Sequence, residues 1–219
     1  MKNDEKKTAL VVGASGLIGK QLTQLLIESG YYSEVQVLVR SSLKIVHPRL
    51  REIRYDFDKP DASLVKAQDI YCCLGTTMKK AGSKEAFFTV DYEYPLQIAR
   101  LSLLNGAEKF LIVTAMGANA SSTFFYNRVK GEIEEDLRAL QFETLHILQP
   151  SLLLGDRTER RLGEKIGEVV MKAVGPLMVG PLLKYRAIDS VKVARAMFAL
   201  AQKPHKGVFF HTSDELQKF

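Results

Sequence analysis

A short apolar run, Thr8 to Val12, leads straight into Gly13-Ala14-Ser15-Gly16-Leu17-Ile18-Gly19, and a helical pattern follows to about Glu28. Each glycine in that run has a separate use. Gly13 permits a tight turn out of the strand. Gly16 lets main chain approach a ligand without a Cβ in the way. Gly19 lets the helix pack close to the sheet. The helix N-terminus then offers free N–H groups to negative charge such as a pyrophosphate. Strand, glycine turn and helix in this order predict a dinucleotide site at Gly13, Ser15, Gly16, Leu17, Ile18 and Gly19.

The rest of the chain keeps alternating. Strand patterns fall at Glu34–Val39, Glu52–Tyr55, Ile70–Leu74, Phe110–Thr114, Thr144–Leu148 and Gly207–His211. Helical patterns fall at Ser63–Ala67, within Lys84–Leu104, at Phe124–Leu140, around Glu159–Ala173 and at Ser190–Gln202. Pro95 lies inside the second of these and predicts a break or a helix start there, and Asn105-Gly106 ends it. Such alternation implies an α/β, doubly wound Rossmann fold: a mostly parallel sheet of six to seven strands with helices on both faces. Residues 1–219 read as one domain, with a core over about 7–155 and a small C-terminal lobe over about 156–219. Ligand binding is expected at the carboxyl ends of the strands, where the strand order reverses.

Composition narrows the function. Hydrophobic residues make up 46% of the 219, enough for a substantial core. The 31 basic and 25 acidic residues are dispersed, so no nucleic-acid partner is expected. Cys72 and Cys73 are adjacent and cannot form a relaxed disulfide. With a polar Met1–Lys7 in place of an apolar signal, they predict a reducing, cytoplasmic location. The apolar stretch Ile166–Leu183 is interrupted at Gly175-Pro176 and Gly180-Pro181, which makes it a poor membrane span. His47, His146, His205 and His211 show no ligand spacing with the cysteines, so no metal is expected.

Two further features carry chemistry. The second strand ends at Arg40, where an NAD-specific site usually has a carboxylate for the ribose 2′-hydroxyl; a guanidinium suits a 2′-phosphate and predicts NADP(H). Asp56, after the third strand, is a candidate for the adenine edge or a surface turn residue. Tyr126 and Lys130 are four apart on a helix and so share a face. A lysine ammonium beside a phenol favours the phenolate, which suits a tyrosine acting as general acid/base in carbonyl reduction. A second pair of the same spacing, Tyr55 and Lys59, crosses a strand end and cannot share a helix face.

Gly13-Ala-Ser-Gly-Leu-Ile-Gly19, Cys72-Cys-Leu-Gly-Thr-Thr77, Val90-Asp-Tyr92, Tyr126-x-x-x-Lys-Gly131 and Gln149-Pro-Ser-Leu-Leu153 together resemble the short-chain dehydrogenase/reductase superfamily. Within it, the chain is similar to the small atypical branch of Tat-interactive, metastasis-suppressor type proteins and their bacterial homologues. The resemblance implies that Leu74, Gly75 and Thr76 line the cofactor, and that Pro150 and Leu152 face the nicotinamide. It also implies that Tyr126 is the general acid/base and that Lys130 is its electrostatic partner and ribose contact. Thr114 is the implied hydroxyl that polarises the substrate carbonyl. Its neighbour is Ala115 where relatives often carry a second serine, and Ser121 and Ser122 are the alternatives. The expected activity is hydride transfer between NADPH and a small carbonyl or alcohol, by a monomer or homodimer. The alternative is an NADP(H)-binding regulator without turnover.

Overall fold

The computed structural model describes residues 7–155 and 180–219. Its first unit is β1 (Thr8–Val12), α1 (Leu17–Ser29) and β2 (Glu34–Val39). Leu22 and Leu26 of α1 sit one turn apart and face the sheet, and the helix ends where Gly30 turns left-handed at φ 64°. After β2 the chain reaches β3 (Leu50–Arg54), a single 3₁₀ turn (Ala62–Leu64) and β4 (Asp69–Cys72). Two short helices follow, α2 (Met78–Ala81) and α3 (Lys84–Phe88), then one π-helical turn (Thr89–Glu93) and α4 (Tyr94–Leu104). The second half holds β5 (Lys109–Val113), α5 (Phe125–Ala139), β6 (Thr144–Gln149) and β7 (Leu153–Leu154). It continues as β8 (Ile188–Asp189), α6 (Ser190–Ala201), β9 (Gly207–Thr212) and α7 (Ser213–Leu216).

Among the described residues, seven strands form one sheet in the order β3-β2-β1-β4-β5-β6-β9, while β7 and β8 pair separately. Every ladder is parallel, from Val12↔Leu38 and Val12↔Cys72 around β1 to Leu148↔His211 at the far edge. Successive strand residues point to opposite faces, so each central strand feeds two cores. Ala9, Val11, Val37 and Leu111 pack on one face against Leu22 and Leu26 of α1 and Val193 and Met197 of α6. Leu10, Val12, Ile70 and Ile112 pack on the other against Leu96 and Ala99 of α4 and Ile133 and Leu137 of α5. The described part of the C-terminal region thus extends the main sheet through β9 and covers it through α6.

Sequence patterns located most elements within one or two residues. The third strand starts at Leu50 rather than Glu52, because the ladder with β2 begins at Val35↔Leu50. The Ser63–Ala67 helix is only a 3₁₀ turn, capped by Asp61, whose carboxylate accepts the Ser63 N–H. The fourth strand ends at Cys72, since Cys73 still donates to Val12 but the chain then leaves the ladder. The long helical stretch is split as expected near Pro95. The ring sits in the first turn of α4, where its missing N–H is tolerated, and the π turn immediately precedes it. The helix expected at Glu159–Ala173 and most of the Ile166–Leu183 stretch lie outside the described residues.

Helix α5 docks with no room to spare. A Cβ on Gly131 would lie 2.0 Å from the Ala120 nitrogen and 2.2 Å from the Asn119 carbonyl carbon. In an unconstrained helix Gly→Ala stabilises by about 1 kcal/mol. Here Gly131→Ala is expected to destabilise by about 1–3 kcal/mol through overpacking, read as a lower urea midpoint. A raised midpoint would show that α5 is not seated on the 119–120 main chain.

Candidate functional site

The glycine turn is held by contacts that only glycine allows. Gly13 adopts φ +84°, and a Cβ there would sit 2.6 Å from the Cys73 carbonyl carbon and 2.8 Å from the Leu74 nitrogen. A Cβ on Gly19 would lie 2.2 Å from the Gly13 oxygen. The turn closes through Gly16 N–H donating to Gly13 O at 2.9 Å. Ser15 and Gly16 are exposed, whereas the Ile18 side chain is buried in the core, leaving its main chain as its only means of touching a ligand. Among the described residues, no side chain caps the N-terminus of α1, and its first turn carries no acidic residue. These residues fit a pyrophosphate: open main chain, unused N–H donors and no competing negative charge.

Arg40 is exposed directly after β2. Tyr94 feels the charges of both Arg40 and Asp56, which places the three at the same end of the sheet. The Tyr94 hydroxyl donates to Asp58 at 2.5 Å, and its pKa is pushed up to about 12, first by that bond and then by burial. Asp56 is exposed and accepts the Asp58 N–H at 3.0 Å, so it also stabilises its own turn.

Beside the glycine turn, the segment after β4 meets α5. Lys130 Nζ lies 2.7 Å from Asp91 Oδ1, with side-chain exposures of 6% and 1%. The other oxygen, Asp91 Oδ2, accepts the Thr76 N–H at 2.8 Å. Burial works against the Lys130 charge, but the Asp91 carboxylate and then Tyr126 more than offset it, so its pKa rises above the ordinary lysine value. Tyr126 is 38% exposed and packs its ring on Phe87 at 5.5 Å. Gly75 is exposed over this pair, while Leu74 is half-buried.

Thr114 lies just past β5 but its hydroxyl is already engaged. It is buried and donates to Glu134 Oε1 at 2.5 Å, and Gln149 Nε2 donates to the two Glu134 oxygens at 3.1 and 3.0 Å. Ser121 and Ser122 lie in the turn that enters α5. Ser121 N–H donates to Asn119 Oδ1 and Ser122 Oγ accepts the Phe124 N–H. Pro150 is buried and accepts the Met116 N–H at 2.9 Å, while Leu152 is exposed. Cys72 is buried and its thiol is pushed up to about 12 by that burial, which leaves it neutral and inert.

Sequence reasoning gave no role to two buried carboxylates, Glu134 and Asp91, the latter quoted only as part of Val90-Asp-Tyr92. Glu134 could have been found, because Tyr126, Lys130 and Glu134 are spaced by four along one helix face. Asp91 gave no periodic signal, since the π turn shifts it out of helical phase.

The parallel sheet with the glycine turn at its switch point is a Rossmann-type nucleotide-binding arrangement, and α5 brings Tyr126 and Lys130 to the same crevice. The HIM1 family profile matches residues 41–177, and the chain belongs to that family. Rat protein HTATIP2 is 34% identical over 93% of this chain and 84% of its own length. A Candida albicans protein named FMP52, mitochondrial, is 32% identical over 91% of this chain and 90% of its own. Among solved structures, MoeE5 in complex with UDP-glucose and NAD superposes with a TM-score of 0.70 at 15% identity, over 95% of this chain and 79% of that one. The Thermotoga maritima UDP-glucose 4-epimerase with UDP-glucose gives 0.68 at 16% identity, over 96% and 80%. The expected cytoplasmic location is corrected by the fungal relatives: several are named mitochondrial, so family membership does not confine a chain to the cytosol. Among the described residues, no helix is long and apolar enough to cross a membrane.

Burial raises the Glu134 pKa above the ordinary glutamate value, against the lowering effect of its Thr114 and Gln149 donors. Its contribution to stability is therefore present below that ordinary value and lost as pH rises through the raised one. Glu134→Gln is expected to remove this loss, so the urea midpoint of wild type falls relative to the variant as pH increases through that window. A wild-type midpoint that gains on the variant would contradict the assignment.

Proposed function

We propose that the protein is an NADP(H)-dependent oxidoreductase acting on a small carbonyl or alcohol, with Tyr126 as general acid/base. The observation that carries this reading is the Tyr126–Lys130 pair, which stands beside the Gly75–Thr76 main chain at the sheet end that also bears the glycine turn. The bound dinucleotide supplies or accepts the hydride at the substrate carbon. Ser15, Leu17 and Ile18 hold its pyrophosphate through main-chain N–H groups, and Gly16 leaves room for it. Arg40 pairs with a 2′-phosphate, Asp56 approaches the adenine edge, and Leu74, Gly75, Thr76, Pro150 and Leu152 line the remainder.

Tyr126 gives its phenolic proton to the carbonyl oxygen in reduction and recovers it from the alcohol in oxidation. Lys130 favours the phenolate between turnovers and contacts the ribose. Thr114 can polarise the carbonyl only by exchanging Glu134 for the substrate as acceptor, because a hydroxyl has one proton to donate. Where that exchange does not occur, Ser121 and Ser122 are the remaining hydroxyls near the entry to α5.

The cofactor choice is tested by titrating with NADPH and NADH and following nicotinamide fluorescence. NADPH is expected to bind more tightly, and Arg40→Ala to weaken it by about 10- to 100-fold, the worth of one charged hydrogen-bonded pair, with NADH unchanged. Equal binding of the two nucleotides would remove the 2′-phosphate argument. On a substrate found by screening carbonyls, Tyr126→Phe is expected to lower kcat by about 10²- to 10⁴-fold. An unchanged rate, or NADPH binding with no turnover of any carbonyl, would favour the regulatory reading instead.

A further inference from the structure

Asp91 is the most deeply buried charged group of the site, and its two oxygens do different work. Oδ1 meets Lys130 Nζ of α5 at 2.7 Å and Oδ2 accepts the Thr76 N–H of the segment after β4 at 2.8 Å. One carboxylate therefore joins two elements that approach the crevice from different sides. The π turn Thr89–Glu93 presents it: Asp91 is buried, while its neighbours Val90 and Tyr92 are half-buried and Glu93 is exposed. A π turn inside a helical stretch is uncommon and often marks a functional position. Directly above lies Gly75, where a Cβ would stand 3.5 Å from Asp91 Oδ1 and 4.0 Å from Lys130 Nζ.

We propose that Asp91 is a positioning residue that keeps the Lys130 ammonium charged beneath the crevice and holds the Thr76 main chain to it, so that the Tyr126 partner remains a cation in a site otherwise too dry for one. The proposal deepens the oxidoreductase reading and rests on it for the role of Tyr126. A lysine buried without a counter-charge loses its proton readily. The charged or titratable groups facing Lys130 are Asp91 from the π turn, Cys72 from β4, and Tyr126 and Glu134 from its own helix. The Cys72 thiol is neutral, and Glu134 already accepts from Thr114 and Gln149. Among the described residues, Asp91 alone is ion-paired with the ammonium. Asparagine could not replace it, because Lys130 and Thr76 meet different oxygens, and an amide would turn an NH2 donor toward one of these two donors.

The test needs no substrate. The phenolate absorbance of Tyr126 is obtained as the difference between wild type and Tyr126→Phe across pH, and again in Asp91→Asn with and without Tyr126→Phe. Loss of the cation is expected to move the Tyr126 limb to higher pH by about one unit or more. The charge-retaining Asp91→Glu is expected to return it toward wild type. A limb that stays in place or moves to lower pH in Asp91→Asn overturns the proposal. If Asp91→Asn does not fold, the side-chain nitrogen of Lys130 is titrated by NMR in the wild-type protein, assigned with Lys130→Arg. Titration above the ordinary lysine value supports the proposal, and titration below it overturns it. A protein that shows the shift yet reduces no carbonyl retains the clamp and loses only the oxidoreductase reading.

Discussion

Gly13 approaches the main chain of Cys73 and Leu74 so closely that a single methyl group would overlap it. This contact sets the distance between the turn that follows β1 and the segment that follows β4, the two strands that flank the point where strand order reverses. Gly19 tightens the same knot from the helix side, since its own missing Cβ lets α1 rest on the Gly13 carbonyl. With that spacing fixed, the unused N–H groups of α1 face the crevice from one wall. Gly75 and Thr76 form the other. The Asp91 carboxylate ties that second wall to Lys130, so α5 is placed relative to the glycine turn by an unbroken series of short contacts.

What the sequence made legible follows from how local each signal is. The sheet core was visible because parallel central strands are apolar on both faces: Ala9–Val12 and Phe110–Val113 are continuous buried runs. The glycine turn was visible because its spacing, strand and helix are contiguous. Tyr126 and Lys130 were visible because helical periodicity predicts their shared face. The part played by Asp91, which the sequence showed only within Val90-Asp-Tyr92, was not visible, for two physical reasons. It acts across long sequence separations, 15 residues to Thr76 by hydrogen bond, and it sits in a π turn that breaks the 3.6-residue period. Thr114 shows a different limit. Its place just past β5 was readable, but the direction of its hydroxyl depends on Glu134, which arrives from α5.

The buried polar groups divide the site into two compartments. One, lined by Gly75, Thr76, Asp91 and Lys130, is electrostatically balanced and lies under exposed main chain, as expected where a charged cofactor approaches. The other, made by Thr114, Glu134 and Gln149, is closed and internally satisfied, and it braces β5 and β6 against α5. Membership of the HIM1 family links both compartments to relatives named HTATIP2 and FMP52, mitochondrial.

The central claim is that the glycine turn and the segment after β4 form one nucleotide site. Amide hydrogen exchange with and without NADPH tests it most directly. Protection is expected together at Ser15–Ile18 and at Thr76, with little change at β9 on the far edge of the sheet. Protection at neither segment, or at a surface remote from both, would contradict the account.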